Sequence, residues 1–125
     1  MVDDKKEVLE PLALGLQTSG EFEVLTAENG SQALEILRSR RDIDLLITDL
    51  EMPVMDGFEL LARLKKDHPA TPAIVLTSCI TGKTNERLKA IGDYVCIQKP
   101  VGFGELRERI IHELRSHSGQ EESKE

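Results

Sequence analysis

Residues 44–57 have the sequence DLLITDLEMPVMDG, in which a short apolar run leads directly towards a carboxylate. The run covers residues 45–47, and Asp49 stands at its C-terminal end. A loop follows and closes at Asp56 and Gly57. In an open parallel sheet, ligands bind in the space beyond the carboxyl ends of the strands. Asp49 is therefore either an ordinary polar strand end or a carboxylate with a chemical role.

The composition limits the classes of protein that the chain can belong to. Its 125 residues carry a formal net charge of −7 and are 39% apolar, which is typical of one globular domain. No run of about 18 apolar residues is present, so we expect no membrane span. The N-terminus lacks the apolar core of a signal peptide, which predicts a cytoplasmic protein. Basic residues cluster only at 38–41, which argues against nucleic acid as a direct partner.

Cysteine and histidine give no sign of a metal or catalytic centre. Cys79 and Cys96 are far apart in the sequence, form no CxxC pair and are expected to be buried, reduced thiols. The three histidines, His68, His112 and His117, have no partner near them in the sequence. We therefore expect no role for these residues in catalysis or metal binding.

Short apolar runs alternate with amphipathic segments along the chain. The runs predict strands at residues 23–27, 45–48, 73–77 and 94–97. Periodic apolar patterns predict a first helix that carries Val8, Leu12 and Leu16 and ends near residues 19–20, and further helices that begin near residues 31, 58, 82 and 103. Pro11 lies inside the first helix and must kink it or face solvent. Asn29 and Asp56 are expected in turns that cap helices. Strands that are apolar throughout are buried on both faces, so the sequence predicts an α/β fold with a parallel sheet between helices.

Five polar residues follow predicted strands and are expected at one edge of the sheet. They are Asp3, Asp4, Asp49, Thr77 and Lys99. Three carboxylates form a hard oxygen site that suits Mg²⁺, while a hydroxyl and an ammonium group can neutralise the oxygens of a phosphoryl group. Two carboxylates about 4 Å apart repel by roughly 4 kcal/mol at an effective dielectric of 20. A domain with a stability of about 5–15 kcal/mol gains nothing from such a cluster, which favours a functional interpretation.

Each of these residues also has an ordinary structural interpretation. Asp49 alone is a common strand end, Thr77 a common β-former and Lys99 a common surface residue. Asp3 and Asp4 are also candidates for the N-cap of the first helix, a role that is compatible with metal binding. The five residues taken together favour the functional interpretation.

In combination, these residues resemble the receiver domain of two-component response regulators. The resemblance rests on Asp3-Asp4, the loop at 49–57, Thr77 and Lys99-Pro100, and it covers about residues 2–116. It implies a flavodoxin-like (βα)5 three-layer sandwich whose parallel five-stranded sheet has the order 2-1-3-4-5. Only Met1 and Val2 precede the Asp pair, so the first strand is expected to be truncated, which should either cost stability or leave a gap in the sheet. We predict a receiver domain at 1–116 and a disordered polar tail at 117–125.

The resemblance also implies a role for each residue of the cluster. Asp4 would be a direct Mg²⁺ ligand, Asp3 would hold a metal-bound water, and the backbone carbonyl of Glu51 would complete a metal site that includes Asp49.

Asp49 would also be the phosphoacceptor, while Thr77 would hydrogen-bond the phosphoryl group and Lys99 would pair with it as a point charge. The peptide bond between Lys99 and Pro100 is expected to be cis, as is typical of the family.

The function implied by the resemblance is that of a signalling module. A histidine kinase or a histidine phosphotransfer protein would donate the phosphoryl group. The chain would not be an enzyme beyond self-catalysed phosphoryl transfer and slow autodephosphorylation. Output would pass to a downstream protein at the face formed by the fourth helix, fifth strand and fifth helix, and a homodimer is left open.

Other functions are compatible with parts of the pattern. A pseudo-receiver would bind partners without phosphorylation, but it has no reason to keep mutually repelling carboxylates. An aspartate-nucleophile phosphatase would have a second Asp two residues after the nucleophile, where Glu51 stands. A flavodoxin-like flavin carrier needs a phosphate-binding loop after the first strand, where Asp3 and Asp4 would repel the phosphate.

The sequence departs from the receiver pattern on both sides of Lys99-Pro100. Receivers commonly have Tyr or Phe three residues before the Lys as a switch residue, and Cys96 stands there, with Tyr94 nearby. Val101 follows Lys-Pro in place of the frequent Phe, and Phe103 is a candidate to fill that space.

Overall fold

A computed structural model of the chain describes residues 1–52, 55–78, 80–92 and 94–123. In these residues, helices and strands alternate along most of the sequence. The elements are α1 (Lys6–Thr18), α2 (Gly30–Ser39), β1 (Leu46–Asp49), α3 (Gly57–Asp67), β2 (Ala73–Thr77), α4 (Gly82–Ile91), β3 (Val95–Gln98) and α5 (Phe103–Ser123). None of the helices in the described part is long and apolar enough to cross a membrane. Predictions that concern Pro53 and Cys79 fall outside the described residues.

The three strands form a parallel sheet in the order β1-β2-β3. Every residue of β1 and β2 is buried, which confirms the predicted parallel sheet covered on both faces. Val2 continues the sheet beyond β1 through isolated parallel bridges to Thr48 and to Ala27. In the described residues the predicted strand at 23–27 is reduced to one bridge, from Ala27 to Val2, because the other residues of the segment pair with no strand.

Helices cover both faces of the sheet and form two core clusters. α2, α3 and α4 pack on one face, where Leu60, Leu61 and Leu64 of α3 are completely buried. α1 and α5 pack on the other face, where Leu16 and Leu106 are buried against β1 and β2. This three-layer arrangement confirms the predicted α/β fold class and brings the carboxyl ends of all three strands to one edge.

Helix caps follow the sequence prediction at two of three positions. The Asn29 side chain accepts a hydrogen bond from the Gln32 backbone N–H (2.9 Å), and the Asp56 side chain accepts one from Glu59 (2.9 Å). The alternative that Asp3 or Asp4 caps α1 is wrong, because the N-cap is Lys5.

Two further expectations concern helix geometry. Pro11 lies inside α1 and is exposed, so the solvent-facing alternative is correct. α5 continues through Ser123, whereas a disordered tail was expected from residue 117. An established helix adds one hydrogen bond for each residue it fixes, and Glu and Gln are good helix formers, so polarity alone does not end it. Residues 124–125 lie outside the described part of the chain.

Candidate functional site

The pairing of Val2 brings the first Asp of the chain beside the end of β1. The Asp49 N–H donates to the Val2 carbonyl (3.0 Å), and the Asp3 N–H donates to the Ala27 carbonyl (3.2 Å). Asp3 and Asp49 are both buried, and Asp4 is exposed at the edge. Even a first strand reduced to a bridge therefore positions its carboxylates next to the neighbouring strand.

Three carboxylates converge at this edge. One oxygen each of Asp3, Asp4 and Asp49 lies within 4.8 Å of the others, an arrangement that can hold a metal ion. A donor set made only of carboxylate oxygens suits a hard divalent cation such as Mg²⁺ or Ca²⁺. The three residues thus fit the predicted metal site, and we call them the acidic cluster.

Lys99 reaches the acidic cluster from the end of β3. Its Nζ lies 2.6 Å from Asp3 Oδ2 and 3.3 Å from Asp49 Oδ2, so one ammonium group bridges two carboxylates. The side chain of Lys99 is 12% exposed, and those of Asp3 and Asp49 are 6% and 5% exposed. The Lys99 N–H donates to the Thr77 carbonyl (2.8 Å), and the bond to Pro100 is cis, as predicted.

Burial and charge act in opposite directions on the ionisation of this group. Burial raises the pKa of the Asp49 carboxyl group, and the ammonium group of Lys99 only partly offsets that effect, while the charge of Asp3 adds to it. Burial alone would lower the pKa of Lys99, but the hydrogen bond to Asp3 and the charges of both carboxylates outweigh it and raise the pKa. Lys99 is therefore a stable positive charge in the site, whereas burial disfavours the charged form of Asp49.

The backbone around Asp49 fixes the orientation of its carboxylate. Asp49 Oδ1 accepts a hydrogen bond from the Leu50 N–H at 2.7 Å. Gly57, at the start of α3, donates its N–H to the Leu50 carbonyl (2.9 Å). A Cβ atom at position 57 would overlap the carbonyl oxygen of Asp49, so only glycine allows this close approach. The Asp56-Gly57 pair thus caps α3 and also holds it against the end of β1.

The remaining predicted residues lie at the same edge or beside it. Thr77 ends β2 and is only 1% exposed. Glu51 is exposed and lines a cleft of about 640 Å³ together with Asp4. The phosphoryl contact of Thr77 and the metal contact of the Glu51 carbonyl stay predictions.

Part of this cleft was not predicted from the sequence. Its other wall includes Lys83, Thr84 and Arg87 of α4, together with Phe58 of α3. The Arg87 guanidinium lies 3.7 Å from the centroid of the Phe58 ring, a cation–π contact between the two helices. The only sequence signal was the i, i+4 spacing of Lys83 and Arg87, which is common on solvated helix faces and points to no particular ligand.

The structure also shows the surroundings of the residues at which the sequence departs from the receiver pattern. Tyr94 and Cys96 are half-buried and pack against the core on the side of α2, α3 and α4. The ring of Phe103 lies against Gly15 of α1 and is 39% exposed. Val101 itself packs against the core on the side of α1 and α5.

Comparison with known proteins agrees with this geometry. The sequence profile of the response regulator receiver domain family matches residues 1–111. The response regulator protein PilR of Pseudomonas aeruginosa is 30% identical over 115 residues, which is 92% of this chain and 25% of PilR. Four curated relatives, PilR included, are covered by this chain over only 17–42% of their length.

Solved structures give the same result. A CheY-like response regulator receiver domain protein from Methanospirillum hungatei JF-1 has a TM-score of 0.87 and 27% identity, over 95% of this chain and 94% of that chain. The signal receiver domain of an HD domain-containing protein from Pseudomonas fluorescens Pf-5 has a TM-score of 0.86 and 30% identity, over 94% of both chains.

Proposed function

The chain belongs to the response regulator receiver domain family, and we propose that it acts there as a phosphoacceptor module of a two-component phosphorelay. In this proposal, a histidine kinase or a histidine phosphotransfer protein donates a phosphoryl group to Asp49 in a Mg²⁺-dependent reaction. The chain then changes its contacts with a downstream protein. It turns over no external substrate, and its chemistry is limited to its own phosphorylation and slow autodephosphorylation.

The observation that carries this proposal is the position of Lys99 among the carboxylates. Buried carboxylates within 4.8 Å of one another destabilise a fold unless cations compensate them. One ammonium group at 2.6 Å and 3.3 Å compensates part of the charge of the acidic cluster and leaves it net negative. A divalent cation at Asp3, Asp4 and Asp49 would supply the rest.

The phosphoryl transfer follows from the orientation of Asp49. A carboxylate oxygen of Asp49 attacks phosphorus, the phosphorus–nitrogen bond of the phosphohistidine donor breaks, and its electron pair stays on the imidazole nitrogen. Transfer of this kind depends on positioning and on neutralising the equatorial oxygens. The Leu50 N–H positions the carboxylate, and Lys99 supplies a fixed positive charge. When bound, Mg²⁺ would lower the repulsion between the donor phosphoryl group and the carboxylates.

Phosphorylation also supplies a physical cause for switching. The product is an acyl phosphate that adds negative charge next to Lys99, and Lys99 can then exchange its contact with Asp3 for one with the phosphoryl group. Thr77, at the end of the adjacent strand, would donate its hydroxyl to the same group. Such a local change in charge can bias a surface between two arrangements.

The test is labelling with acetyl phosphate and Mg²⁺, followed by intact mass measurement. We expect the gain of one phosphoryl group, and we expect Asp49→Asn to abolish it. Asp67→Asn is a matched control, because Asp67 is exposed at the end of α3 and should be labelled like the wild type. Failure of the wild type to be labelled with any divalent cation would contradict the proposal and favour the alternative, a pseudo-receiver that binds partners without phosphorylation.

A further inference from the structure

The cleft between the acidic cluster and α4 carries opposite charges on its two sides. Carboxylates of Asp4, Glu51 and Asp56 line the side of the loop after β1, and Lys83 and Arg87 line the side of α4. In the part of the chain that the structure describes, neither cation forms an ion pair with these carboxylates. A volume of about 640 Å³ falls within the range of ligand pockets, so the cleft has room for a small anion between its two sides.

Arg87 differs from the arginines that pair with carboxylates. Arg40, Arg63 and Arg107 each lie 2.6–3.3 Å from a carboxylate oxygen. Arg87 instead lies over the ring of Phe58, with 3.7 Å between the guanidinium carbon and the ring centroid. A cation–π contact uses the charge of the guanidinium and leaves its N–H donors unused. Among the described residues these donors have no hydrogen-bond acceptor, so they are available to a ligand in the cleft.

Phe58 connects Arg87 to the start of α3 and so to Asp49. Its ring is half-buried and packs against the core on the side of α2, α3 and α4. Gly57, the preceding residue, lies against the backbone of Asp49 so closely that no side chain fits there. A guanidinium that lies over this ring is therefore held at a fixed position relative to Asp49 before any ligand arrives. Such preorganisation lowers the entropy that binding costs.

Lys83 adds a second cation on the same face of α4. It precedes Arg87 by four residues, the spacing at which side chains of a helix are neighbours, and both line the cleft. The first turn of α4 is already capped, because the Thr84 N–H donates to the Thr81 side chain at 3.1 Å. The positive charge in the cleft is therefore that of two side chains and does not depend on the end of the helix.

The place of the cleft indicates which anion it receives. Asp4 belongs both to the cleft and to the acidic cluster, so the cleft opens onto the proposed phosphoacceptor site. A phosphoryl group carries about two negative charges near pH 7 and is repelled by any carboxylate whose charge is not compensated. Cations beside its path offset this repulsion, and Arg and Lys are the side chains that bind phosphate oxygens. Lys83 and Arg87 therefore suit the phosphoryl group of an incoming donor.

We propose that Lys83 and Arg87 form an entry subsite that binds the phosphoryl group of the donor before its transfer to Asp49, with Phe58 as the positioning residue of Arg87. This inference rests on the proposed phosphoacceptor function. The phosphoryl oxygens accept hydrogen bonds from the guanidinium and the ammonium group while no covalent bond changes. Transfer then takes place at Asp49, so the subsite determines how readily a donor is bound and not the rate of the chemical step.

The kinetics of labelling by acetyl phosphate and Mg²⁺ separate binding from transfer. In this reaction the phosphorus–oxygen bond to the acetyl group breaks, and acetate leaves with the electron pair. At low acetyl phosphate, we expect the double variant Lys83→Gln/Arg87→Gln to be labelled about tenfold more slowly than the wild type, because charged clefts raise substrate on-rates by roughly 10–10³-fold. The rate at saturating donor should stay within about twofold, as expected when only ground-state binding is lost. The difference at low donor should shrink at high NaCl concentration.

A charge-matched control separates the subsite from the net charge of the chain. Lys66→Gln/Lys89→Gln removes the same charge from exposed positions outside the cleft and should be labelled like the wild type. Phe58→Leu keeps both cations but removes the ring, and its labelling at low donor should fall by about threefold. N-phosphoimidazole, a model of phosphohistidine, distinguishes the two sources of the group. The same loss with it supports the subsite for both donors, and a loss with acetyl phosphate alone contradicts it for phosphohistidine.

Binding of inorganic phosphate tests the subsite without transfer. In Asp49→Asn, which lacks the acceptor, we expect phosphate to shift the NMR signal of the Arg87 Nε–H group in a saturable manner, and Lys83→Gln to weaken this response. The proposal is overturned if phosphate at tens of millimolar leaves this signal unchanged, or if the double variant and its charge-matched control lose labelling equally. A wild type that is not labelled, although phosphate still shifts the Arg87 signal, would contradict the phosphoacceptor function and not the anion site.

Discussion

The two ends of the short segment 1–4 lie in very different surroundings. Asp3, near its carboxyl end, is buried and lies 2.6 Å from the Lys99 ammonium group. Its backbone N–H donates to the Ala27 carbonyl. Met1, at its amino end, borders a cavity of about 360 Å³. The first end is held by Lys99, which is distant in the sequence, whereas the amino group of Met1 donates to the Leu25 carbonyl at 2.8 Å. The same short segment therefore carries site residues at one end and borders a cavity at the other.

Among the changes considered, removal of the Lys99 side chain should lower the unfolding free energy most. Lys99→Ala leaves Asp3 and Asp49 buried without their counter-ion, and loss of one partner of a buried pair costs about 3–5 kcal/mol of unfolding free energy. Urea denaturation in EDTA at pH 7 measures this loss. Lys89→Ala, at an exposed position of α4, is the matched control and should change stability by less than about 0.5 kcal/mol. Equal losses of unfolding free energy in both variants would show that the contacts of Lys99 with Asp3 and Asp49 do not stabilise the fold.

Addition of Mg²⁺ should stabilise the folded chain through the acidic cluster, which includes Asp3 and Asp4. A cation that binds the folded acidic cluster and not the unfolded chain adds about 2.7 kcal/mol at one hundred times its Kd, and EDTA should reverse the effect. Thermal unfolding with and without the cation measures it. Asp4→Asn should weaken the response because Asp4 is one of the three ligands, whereas Asp67→Asn should leave it intact. A wild-type Tm that does not respond to millimolar Mg²⁺ would argue against the metal site.

The amino end should respond to pH instead. Burial lowers the pKa of the Met1 amino group from 8.0 to about 6, so between these values the unfolded chain binds more protons than the folded one. Stability from this group is therefore complete above pH 8 and is lost as the pH falls through about 6. The difference is roughly 2 kcal/mol after allowance for solvent near Met1. Unfolding free energies at pH 6 and pH 8 should differ by more in the free chain than in an N-acetylated one, and identical differences would contradict the assignment.

The smallest effect is expected at the far end of the cavity. Arg40→Gln removes the hydrogen bonds to Glu23 and Asp42, two residues that line this cavity. These groups are exposed to solvent, so the Tm should fall by a few degrees at most, and by less in 0.5 M NaCl, because salt screens surface pairs. Arg38→Gln, at an exposed position of α2, is the control. A salt-independent fall in Tm would mean that Arg40 acts through packing.

Sequence patterns predict the local features of this molecule well and its tertiary contacts poorly. The apolar run at 73–77 coincides with β2, and the caps at Asn29 and Asp56 lie where their residue types indicated, because these signals are local. Convergence of the acidic cluster was also predictable, since parallel strands bring their carboxyl ends to one edge.

The missed features depend on tertiary contacts. The strand expected at 23–27 needs a paired neighbour, and in the described residues only Ala27 has one, at Val2. The contact of Arg87 with Phe58 joins two helices whose relative position no local pattern encodes. Phe103 packs on Gly15 for the same reason, because the missing side chain of a glycine in α1 creates the space that the ring covers.

The cavity beside Met1 also has a mechanical consequence. Hydrostatic pressure favours the state of smaller volume, and the volume lost on unfolding scales with the voids that the folded chain contains. A domain with this cavity should therefore unfold at lower pressure than one of equal thermal stability without it. Unfolding under pressure would thus report on the cavity beside Val2, to which thermal stability alone is insensitive.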